Sequence, residues 1–272
     1  MPTEQAATRR IEASGQGWEE HFVDFDRASI SVSVGSAVSQ SLSYVTLPNF
    51  ASVDERFTLQ QSAMDLKARS MNDGKESAGT HVLGASEAAH HNCTRYSVEG
   101  LLNSDAKAVS AALLDRLLGF LEGNGTWGGH IKIEEMSNMA QLVFGSQTDL
   151  KNLKVTWYQE PDDQGRLHPE PKVNIYEDGG YFKCHEDGMH LTLLVVLSDS
   201  FEGGGTAFYR DTDDQETDCV TDNDHIIDPD SVATPQAGTA IIWGATLKHM
   251  ALPITTGTRA VYVGSFNLNE ES

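Results

Sequence analysis

The sequence predicts a mainly β fold with α-helices on its outside. Short apolar runs separated by glycine-rich turns fill the C-terminal half of the 272-residue chain, a pattern typical of strands in a barrel or sandwich. Two longer segments with helical periodicity lie in the N-terminal half. A chain of this length with 39% hydrophobic residues can bury one sizeable core. We therefore expect one β domain covered by helices rather than two independent domains.

The strand predictions rest on apolar runs between turn residues. The run 191–197 contains mostly leucine and valine and has the length of a buried strand. Upstream, Gly179–Gly180 separates two short runs, which predicts a strand, a turn and a second strand. Further strands are predicted at 41–48, after the glycines of 203–205, at 239–243 and at 259–263.

Two segments of the N-terminal half are predicted helices. Ser52-x-x-Glu55 is a capping box that opens a helical stretch to about Ser70. Ser104 and Asp105 begin a second helix, and Gly123 follows its end. One stripe of this second helix carries leucines 113, 114, 117, 118 and 121. The polar stretch 71–96 between the helices is expected to form loops.

A His-x-Asp triplet just before the run 191–197 is the first candidate for specific chemistry. Alternate residues of an extended chain share a face, so His185 and Asp187 would point together while Glu186 points away. With the distant His249 they supply two imidazoles and one carboxylate, the set that holds non-haem Fe(II) and leaves coordination positions open. Arg259, ten residues beyond His249, can hold a dicarboxylate beside such an iron.

Several ordered motifs together resemble the prolyl 4-hydroxylase branch of the Fe(II)/2-oxoglutarate dioxygenases. The resemblance covers roughly residues 171–268 and is more specific than any single motif. It implies a double-stranded β-helix, which is a cupin-like jelly roll of about eight strands with iron inside one mouth. The motifs are Tyr176-x-x-Gly179-x-x-Phe182-x-x-His185-x-Asp187, Glu202-Gly203-Gly204-x-Thr206-x-Phe208, and His249 followed by Pro253, Gly257 and Arg259.

The resemblance also implies roles for individual residues. It makes His185, Asp187 and His249 the catalytic iron ligands, and Arg259 the partner of the distal carboxylate of 2-oxoglutarate. Prolyl hydroxylases usually carry lysine at the position of Arg259, so this difference leaves the co-substrate intact but weakens the assignment to proline. Two further positions that help to bind the same carboxylate are matched by Tyr176 and Thr192.

The activity implied by the resemblance is a 2-oxoglutarate-dependent oxidation. The co-substrates are 2-oxoglutarate and O2, the products are succinate and CO2, and ascorbate is the expected reductant in vitro. An unactivated C–H bond of a prolyl or other amino-acid-like substrate, in a peptide or a small molecule, would be hydroxylated. Oxidative cyclisation or desaturation of a small amino-acid-derived metabolite is the alternative. Loops of this family often shape the substrate pocket, so Arg95 and Tyr96 are predicted substrate contacts.

Two other classes of protein stay open at this stage. A non-catalytic jelly roll could bind metal or 2-oxoglutarate as a structural or sensing module. Against that reading, the ligand set and the arginine are both complete, whereas a degenerate relative is expected to lose one of them. A zinc hydrolase is a weaker third option, which metal analysis and oxygen dependence would separate from an oxygenase.

The charge composition restricts the partners. The net charge is −21, from 40 acidic and 19 basic side chains, which argues against nucleic acids and anionic membrane surfaces. Nine of the acids lie between Asp211 and Asp230, a segment without lysine or arginine. We expect this segment to be a solvated insertion between two strands rather than a calcium loop, because it lacks the glycine and terminal glutamate of an EF-hand. The oligomeric state is left open.

The composition of individual segments predicts the domain organisation and the location of the protein. Residues 1–40 are expected to form a flexible N-terminal extension, followed by a single jelly-roll domain over 41–268. The first residues lack an apolar signal region, and no stretch approaches the ~18 apolar residues of a membrane span. Three cysteines are too few for a disulfide framework. A reducing, cytoplasmic location is the expectation.

Overall fold

The chain is represented by a computed structural model that describes residues 8–11, 18–23, 43–72, 90–101, 103–121, 153–161, 167–210, 219, 227–244 and 247–270. The helices are α1 (Val53–Asn72) and α2 (Ser104–Leu121). The first strands are β1 (Thr8–Ile11), β2 (Trp18–Phe22), β3 (Ser43–Leu47), β4 (His90–Ser97), β5 (Leu153–Trp157), β6 (Gln159–Pro161), β7 (Leu167–Pro169) and β8 (Lys172–His185). The remaining strands are β9 (Leu191–Val196), β10 (Phe201–Gly203), β11 (Thr206–Tyr209), β12 (Ser231–Ala233), β13 (Ala240–Gly244), β14 (Lys248–Ala251), β15 (Ile254–Gly257) and β16 (Arg259–Glu270).

Twelve strands form one curled antiparallel sheet. Ten of them run in the order β1-β2-β3-β13-β9-β16-β8-β14-β11-β12, while β4 pairs with β8 and β5 pairs with β16. One wall consists of β3, β13, β9, β16 and the first part of β8, and the facing wall consists of the last part of β8 with β14, β11 and β12. This arrangement confirms the prediction of a mainly β jelly-roll core with flanking helices.

Strand β8 belongs to both walls. Its first residues pair with β16, as in the Tyr176–Arg259 pair, whereas His185 pairs with His249 of β14. The change of partner occurs at Gly179 and Gly180, so the predicted turn is a bend within one continuous strand. A β-carbon on Gly180 would approach two backbone carbonyl oxygens to 2.6 Å, and only glycine fits this bend without displacement.

The central strands are buried on both faces. In β9, Leu191, Leu193 and Val195 pack into the core cluster that also contains buried side chains of both helices. The alternate residues Leu194 and Val196 pack into a second cluster inside the barrel. Because both faces of β9 are covered by apolar groups, the run 191–197 shows no alternation of polar and apolar residues.

Both predicted helices are present, and both cover the outer face of the sheet. The capping box forms as expected: the backbone N–H of Ser52 donates to Glu55 Oε2 at 2.8 Å, and that of Glu55 donates to Ser52 Oγ at 3.2 Å. The Arg116 guanidinium of α2 donates to Glu55 Oε1 at 2.7 Å, which joins the two helices. The leucine stripe of α2 faces the core, with Leu113, Leu117 and Leu121 buried.

Two segments differ from their predictions. Part of the expected flexible extension forms the hairpin of β1 and β2, which continues the sheet beyond β3. The end of the region 71–96, which was expected to form loops, is strand β4, and this strand pairs with β8. Residues on both faces of β4 are buried. The acidic segment does lie between β11 and β12, although most of it falls outside the described residues.

Two cysteines form a disulfide that the sequence did not predict. Cys184 of β8 is bonded to Cys219 of the acidic segment, and their Cα atoms are 5.6 Å apart, a usual separation for a disulfide. Cys93 is a free buried cysteine. The prediction failed because the pairing is brought about by the sheet, across 35 residues of sequence. Neither described helix is both long and apolar enough to cross a membrane.

We expect Glu55→Gln to lower the free energy of unfolding by about 1 kcal/mol at pH 7. A neutral amide would replace the carboxylate that caps α1 and accepts from Arg116. Hydrogen bonding by Arg116 lowers the pKa of Glu55 below its ordinary value of 4.5, against the effect of burial. The contribution should therefore be present above pH 4.5 and decline as the pH falls through the lower folded-state pKa. Thermal unfolding from pH 3 to 7 measures it, with Asp54→Asn at the neighbouring exposed position as control. A stability difference that is independent of pH would contradict this account.

Candidate metal centre

Three predicted ligands converge inside one mouth of the barrel. His185 ends β8 and His249 lies on β14, where the two residues face each other across the strand pair. Asp187 follows β8 by two residues, with its Oδ1 at 3.4 Å from His185 Nε2 and its Oδ2 at 3.6 Å from His249 Nε2. One donor atom from each residue lies within 4.8 Å of the others. The three side chains can therefore hold one metal ion.

The two imidazoles are oriented as metal ligands require. The Nδ1 atoms of His185 and His249 lie 2.8 Å from the backbone carbonyls of Lys183 and Leu247, respectively. A carbonyl can only accept, so Nδ1 carries the proton in each ring and Nε2 presents its lone pair toward Asp187. Burial lowers the pKa of His249 to about 4, although the Asp187 carboxylate opposes this change. His249 is therefore neutral, and free to ligate, at neutral pH.

Asp187 is held in its ionised form. Burial by itself would raise the pKa of Asp187, but His249, His185 and the Thr192 hydroxyl together outweigh burial and hold the pKa below its ordinary value. Thr192 Oγ1 donates to Asp187 Oδ2 at 2.5 Å. Two imidazoles and one carboxylate match the donor set of non-haem Fe(II), and a divalent cation would also balance the buried negative charge of Asp187.

Thr192 does not lie where its predicted role requires. It pairs with Ser265 of β16, and their hydroxyls are 3.0 Å apart. Arg259 is six residues away on the same strand, or about 20 Å along an extended chain. The hydroxyl of Thr192 therefore orients the Asp187 carboxylate, and this replaces the predicted contact with the distal carboxylate beside Arg259.

Arg259 and Tyr176 meet inside the barrel as predicted. They pair across β16 and β8, and the guanidinium lies 5.5 Å from the centre of the Tyr176 ring. Arg259 is 2% exposed and donates to the carbonyl of Gly205 at 3.2 Å and to Thr206 Oγ1 at 3.3 Å. Neither partner is an anion. A buried guanidinium bonded only to neutral oxygens favours an anionic ligand, which would compensate its charge.

Two cavities lie near Arg259. The metal-centre cavity contains the three ligands and Thr206, and has a volume of about 50 Å³. A larger cavity of about 540 Å³ has Arg259 in its wall. Arg259, in the wall of the larger cavity, donates to Thr206, which lines the metal-centre cavity. Thr206, which accepts from Arg259, is two residues from Phe208, which pairs with His249. The guanidinium therefore lies roughly 7 Å from His249 along β11.

Two polar residues of the metal-centre cavity were not predicted from the sequence. Trp243 Nε1 and Asn174 Oδ1 are buried there and form no hydrogen bond to any described residue. The Trp243 ring packs edge-on against that of His249, with the centres 4.8 Å apart. Alternation along the strands could have indicated Asn174, because it lies on the same face of β8 as Tyr176. Buried polar groups without partners are rare in proteins, and both can bind a ligand in the cavity.

Of the two predicted substrate contacts, only Arg95 reaches the metal-centre cavity. Arg95 lines it, beside Glu170 and over the ring of Phe182. Tyr96 follows on the opposite face of β4 and is buried in the core cluster that contains the helices. The prediction for Tyr96 was therefore wrong, because adjacent strand residues point to opposite sides. Burial raises the pKa of Glu170 to about 7, against the opposing effects of Arg95 and Lys172.

Several solved structures resemble the fold. A prolyl 4-hydroxylase from Pseudomonas putida has 14% sequence identity and a TM-score of 0.46, over 82% of this chain and 91% of that chain. A viral collagen prolyl hydroxylase from Paramecium Bursaria Chlorella virus-1, solved with 2-oxoglutarate, has 15% identity and a TM-score of 0.45, over 82% and 94%. SnoK, an α-ketoglutarate-dependent carbocyclase of nogalamycin biosynthesis, has 14% identity and a TM-score of 0.45, over 89% and 85%.

Part of the amino-acid sequence matches the model of a known protein family. No curated protein matches the chain significantly. Residues 171–267 match the model of the 2OG-Fe(II) oxygenase superfamily, and this segment contains all three converging ligands and Arg259. The match covers 97 of the 272 residues, from 171 to 267, so the similarity to the 2OG-Fe(II) oxygenase superfamily is shown for this part of the chain.

Proposed function

We propose that His185, Asp187 and His249 bind the iron of a dioxygenase that hydroxylates a prolyl or other amino-acid-like substrate. The observation that carries the proposal is the convergence of one donor atom from each residue within 4.8 Å, beside a buried guanidinium that has no anionic partner among its hydrogen bonds. When bound, Fe(II) supplies the oxidising chemistry of the family from 2-oxoglutarate and O2. The retained carboxylate of Asp187 favours hydroxylation over halogenation.

The ligand side chains prepare the site before any metal binds. The carbonyls of Lys183 and Leu247 hold both imidazoles in the tautomer that presents Nε2, and Thr192 holds the carboxylate of Asp187. These contacts reduce the reorganisation that metal binding requires. Three protein ligands leave coordination positions for the keto acid and for O2.

Arg259 is proposed to bind the distal carboxylate of 2-oxoglutarate, with Tyr176 beside it. Burial raises the pKa of the Tyr176 hydroxyl, so the group stays protonated and can donate a hydrogen bond to a carboxylate. The indole N–H of Trp243 offers a second donor within the metal-centre cavity. The keto acid would then extend from Arg259 past Thr206 toward His249.

The function is tested by supplying Fe(II), ascorbate, 2-oxoglutarate and O2 with candidate amino acids and peptides. Succinate formation together with a product that has gained one oxygen atom supports hydroxylation. A product that has lost two hydrogens supports the alternative, oxidative cyclisation or desaturation. Iron-loaded protein that forms no succinate with any substrate would refute the proposed dioxygenase function.

Asp187→Ala should abolish substrate oxidation and weaken Fe(II) binding, because the cavity loses its one anionic metal ligand. Glu186→Ala is the matched control, since Glu186 is exposed between the two ligands in sequence. Iron content after gel filtration and the rate of succinate formation are the measurements. Near-normal product formation by Asp187→Ala would remove this residue from the site.

Arg259→Ala should raise the concentration of 2-oxoglutarate needed for half-maximal rate by about tenfold to a hundredfold, the effect of losing a charge-assisted hydrogen-bond pair. Arg259→Lys should lie between this variant and the unmodified protein, because lysine keeps the charge without the planar fork. Arg210→Ala, on an exposed arginine paired with Asp230, provides the control. An unchanged requirement in Arg259→Ala would mean that another cation binds the carboxylate.

Trp243→Phe should raise the 2-oxoglutarate requirement by roughly twofold to tenfold, because one neutral hydrogen-bond donor is lost while the ring contact with His249 remains. Trp157→Phe is the control, since Trp157 packs on the helical side of the sheet. Steady-state kinetics at saturating Fe(II) measure both variants. Equal behaviour of the two would show that the indole N–H makes no bond to the co-substrate.

A further inference from the structure

The larger of the two cavities near Arg259 has no ligand under the proposed function. This space, termed the Arg259 cavity, has a volume of about 540 Å³ and is lined by residues between 196 and 205, by 233–237 and by Arg259. None of these residues lines the metal-centre cavity. Pockets that bind small molecules usually have volumes of roughly 300 to 1,000 Å³. The Arg259 cavity is therefore large enough for a ligand of its own.

The Arg259 cavity is lined by both buried and exposed residues. Val196, Ala233 and Arg259 are buried, whereas Thr234 and Gln236 are exposed. A cavity with such a lining opens at the protein surface and reaches into the interior. A small molecule can therefore approach Arg259 by a route that does not pass the three metal ligands.

The guanidinium of Arg259 has hydrogen-bond donors to spare. A guanidinium carries five N–H groups, and hydrogen bonds from Arg259 to described residues use one on each terminal nitrogen, toward the Gly205 carbonyl and Thr206 Oγ1. Both acceptors are neutral oxygens. A buried guanidinium with remaining donors and neutral partners favours an anion, above all a carboxylate, which accepts two parallel hydrogen bonds.

The titratable groups that act on Arg259 do not supply this anion. They are the Tyr176 hydroxyl and the Cys93 thiol. Burial raises the pKa of Cys93 to about 12 and also raises the pKa of Tyr176 above its ordinary value of 10.0. Both groups are therefore neutral at pH 7, and neither compensates the charge of the guanidinium.

The rest of the lining suits a hydrocarbon chain. Val196 and Ala233 belong to the apolar cluster inside the barrel, and Phe201 and Ala237 pack against that cluster. The buried hydroxyl of Ser198 is already engaged, because it donates to the Thr258 carbonyl and accepts from the Ala260 N–H. Apolar walls with one charged group are typical of a site for an amphipathic small molecule.

One acidic side chain, that of Asp199, also belongs to the described lining. Its side chain is 73% exposed, and Oδ2 lies 3.9 Å from Arg56 Nη1. Water and the nearby arginine screen an exposed carboxylate of this kind, so it repels an anion only weakly. The buried charge of Arg259 therefore determines which ligand the cavity favours.

We propose that the Arg259 cavity binds a small aliphatic carboxylate, with its carboxylate on the guanidinium and its hydrocarbon chain against Phe201 and Ala237. Such a ligand competes with 2-oxoglutarate, because the proposed function gives the same guanidinium to the distal carboxylate of the co-substrate. Only this competition rests on the proposed function. Binding of the carboxylate requires neither iron nor oxidation.

Binding is tested on the full-length protein after removal of metal ions with a chelator. The probes are butyrate, hexanoate and octanoate, and hexanamide is the uncharged control for hexanoate. Isothermal titration calorimetry should show that hexanoate binds at least about tenfold more tightly than hexanamide. Each added methylene group should tighten binding by up to about fourfold, the effect of burying one such group.

Variants locate the bound carboxylate. Ala237→Trp fills part of the cavity and should weaken hexanoate binding by about tenfold or more, whereas Val53→Trp adds the same side chain at an exposed position of α1 and should bind normally. Arg259→Gln should weaken binding by about tenfold to a hundredfold. Thermal unfolding of each variant reports any loss of folding, and Thr234→Trp at an exposed lining position replaces Ala237→Trp if that variant does not fold.

Competition is tested on the iron-loaded protein. Hexanoate should raise the concentration of 2-oxoglutarate needed for half-maximal succinate formation and leave the maximal rate unchanged. A maximal rate that falls while this concentration stays constant would contradict the shared use of Arg259.

The outcomes separate this inference from the proposed function. Equal binding of hexanoate and hexanamide, equal binding of butyrate and octanoate, or undiminished hexanoate binding in Ala237→Trp would overturn the carboxylate site. Hexanoate binding that depends on both Arg259 and Ala237 supports the site even in a protein that forms no succinate. In that case only the proposed dioxygenase function fails.

Discussion

The buried carboxylate of Asp187 is the constraint to which the rest of the site responds. An ionised carboxylate inside a barrel needs hydrogen bonds and positive charge around it. Thr192 supplies a hydrogen bond, and backbone carbonyls accept from Nδ1 of both imidazoles, so each Nε2 faces the carboxylate. A divalent cation at the point where the three donor atoms converge would add to this compensation.

The two walls of the jelly roll supply different residues around the carboxylate of Asp187. The wall with β14 and β11 brings His249 opposite His185 and places Thr206 near the guanidinium of Arg259. The wall with β9 and β16 supplies Thr192 and Ser265 behind Asp187. Because β8 bends at Gly179–Gly180 and pairs with both walls, it carries Tyr176 to the proposed co-substrate end and His185 to the metal end.

Charged side chains form two groups inside the barrel. Arg259 is bonded to neutral oxygens, and Arg95 and Lys172 act on the carboxylate of Glu170. Both arginines act electrostatically on Tyr176, so the two groups lie close together.

The amino-acid sequence by itself determined several strands of the core, both helices and the set of candidate metal ligands, because these depend on local alternation, capping residues and a short ordered motif. It also indicated Arg259 and Tyr176 through that motif. The tertiary structure alone decided the role of Thr192, the exclusion of Tyr96 from the cavity, the Cys184–Cys219 bond and the grouping of Arg95 with Glu170. These features depend on which strands become neighbours and which face each residue takes, and strand pairing across long sequence separations leaves no local pattern.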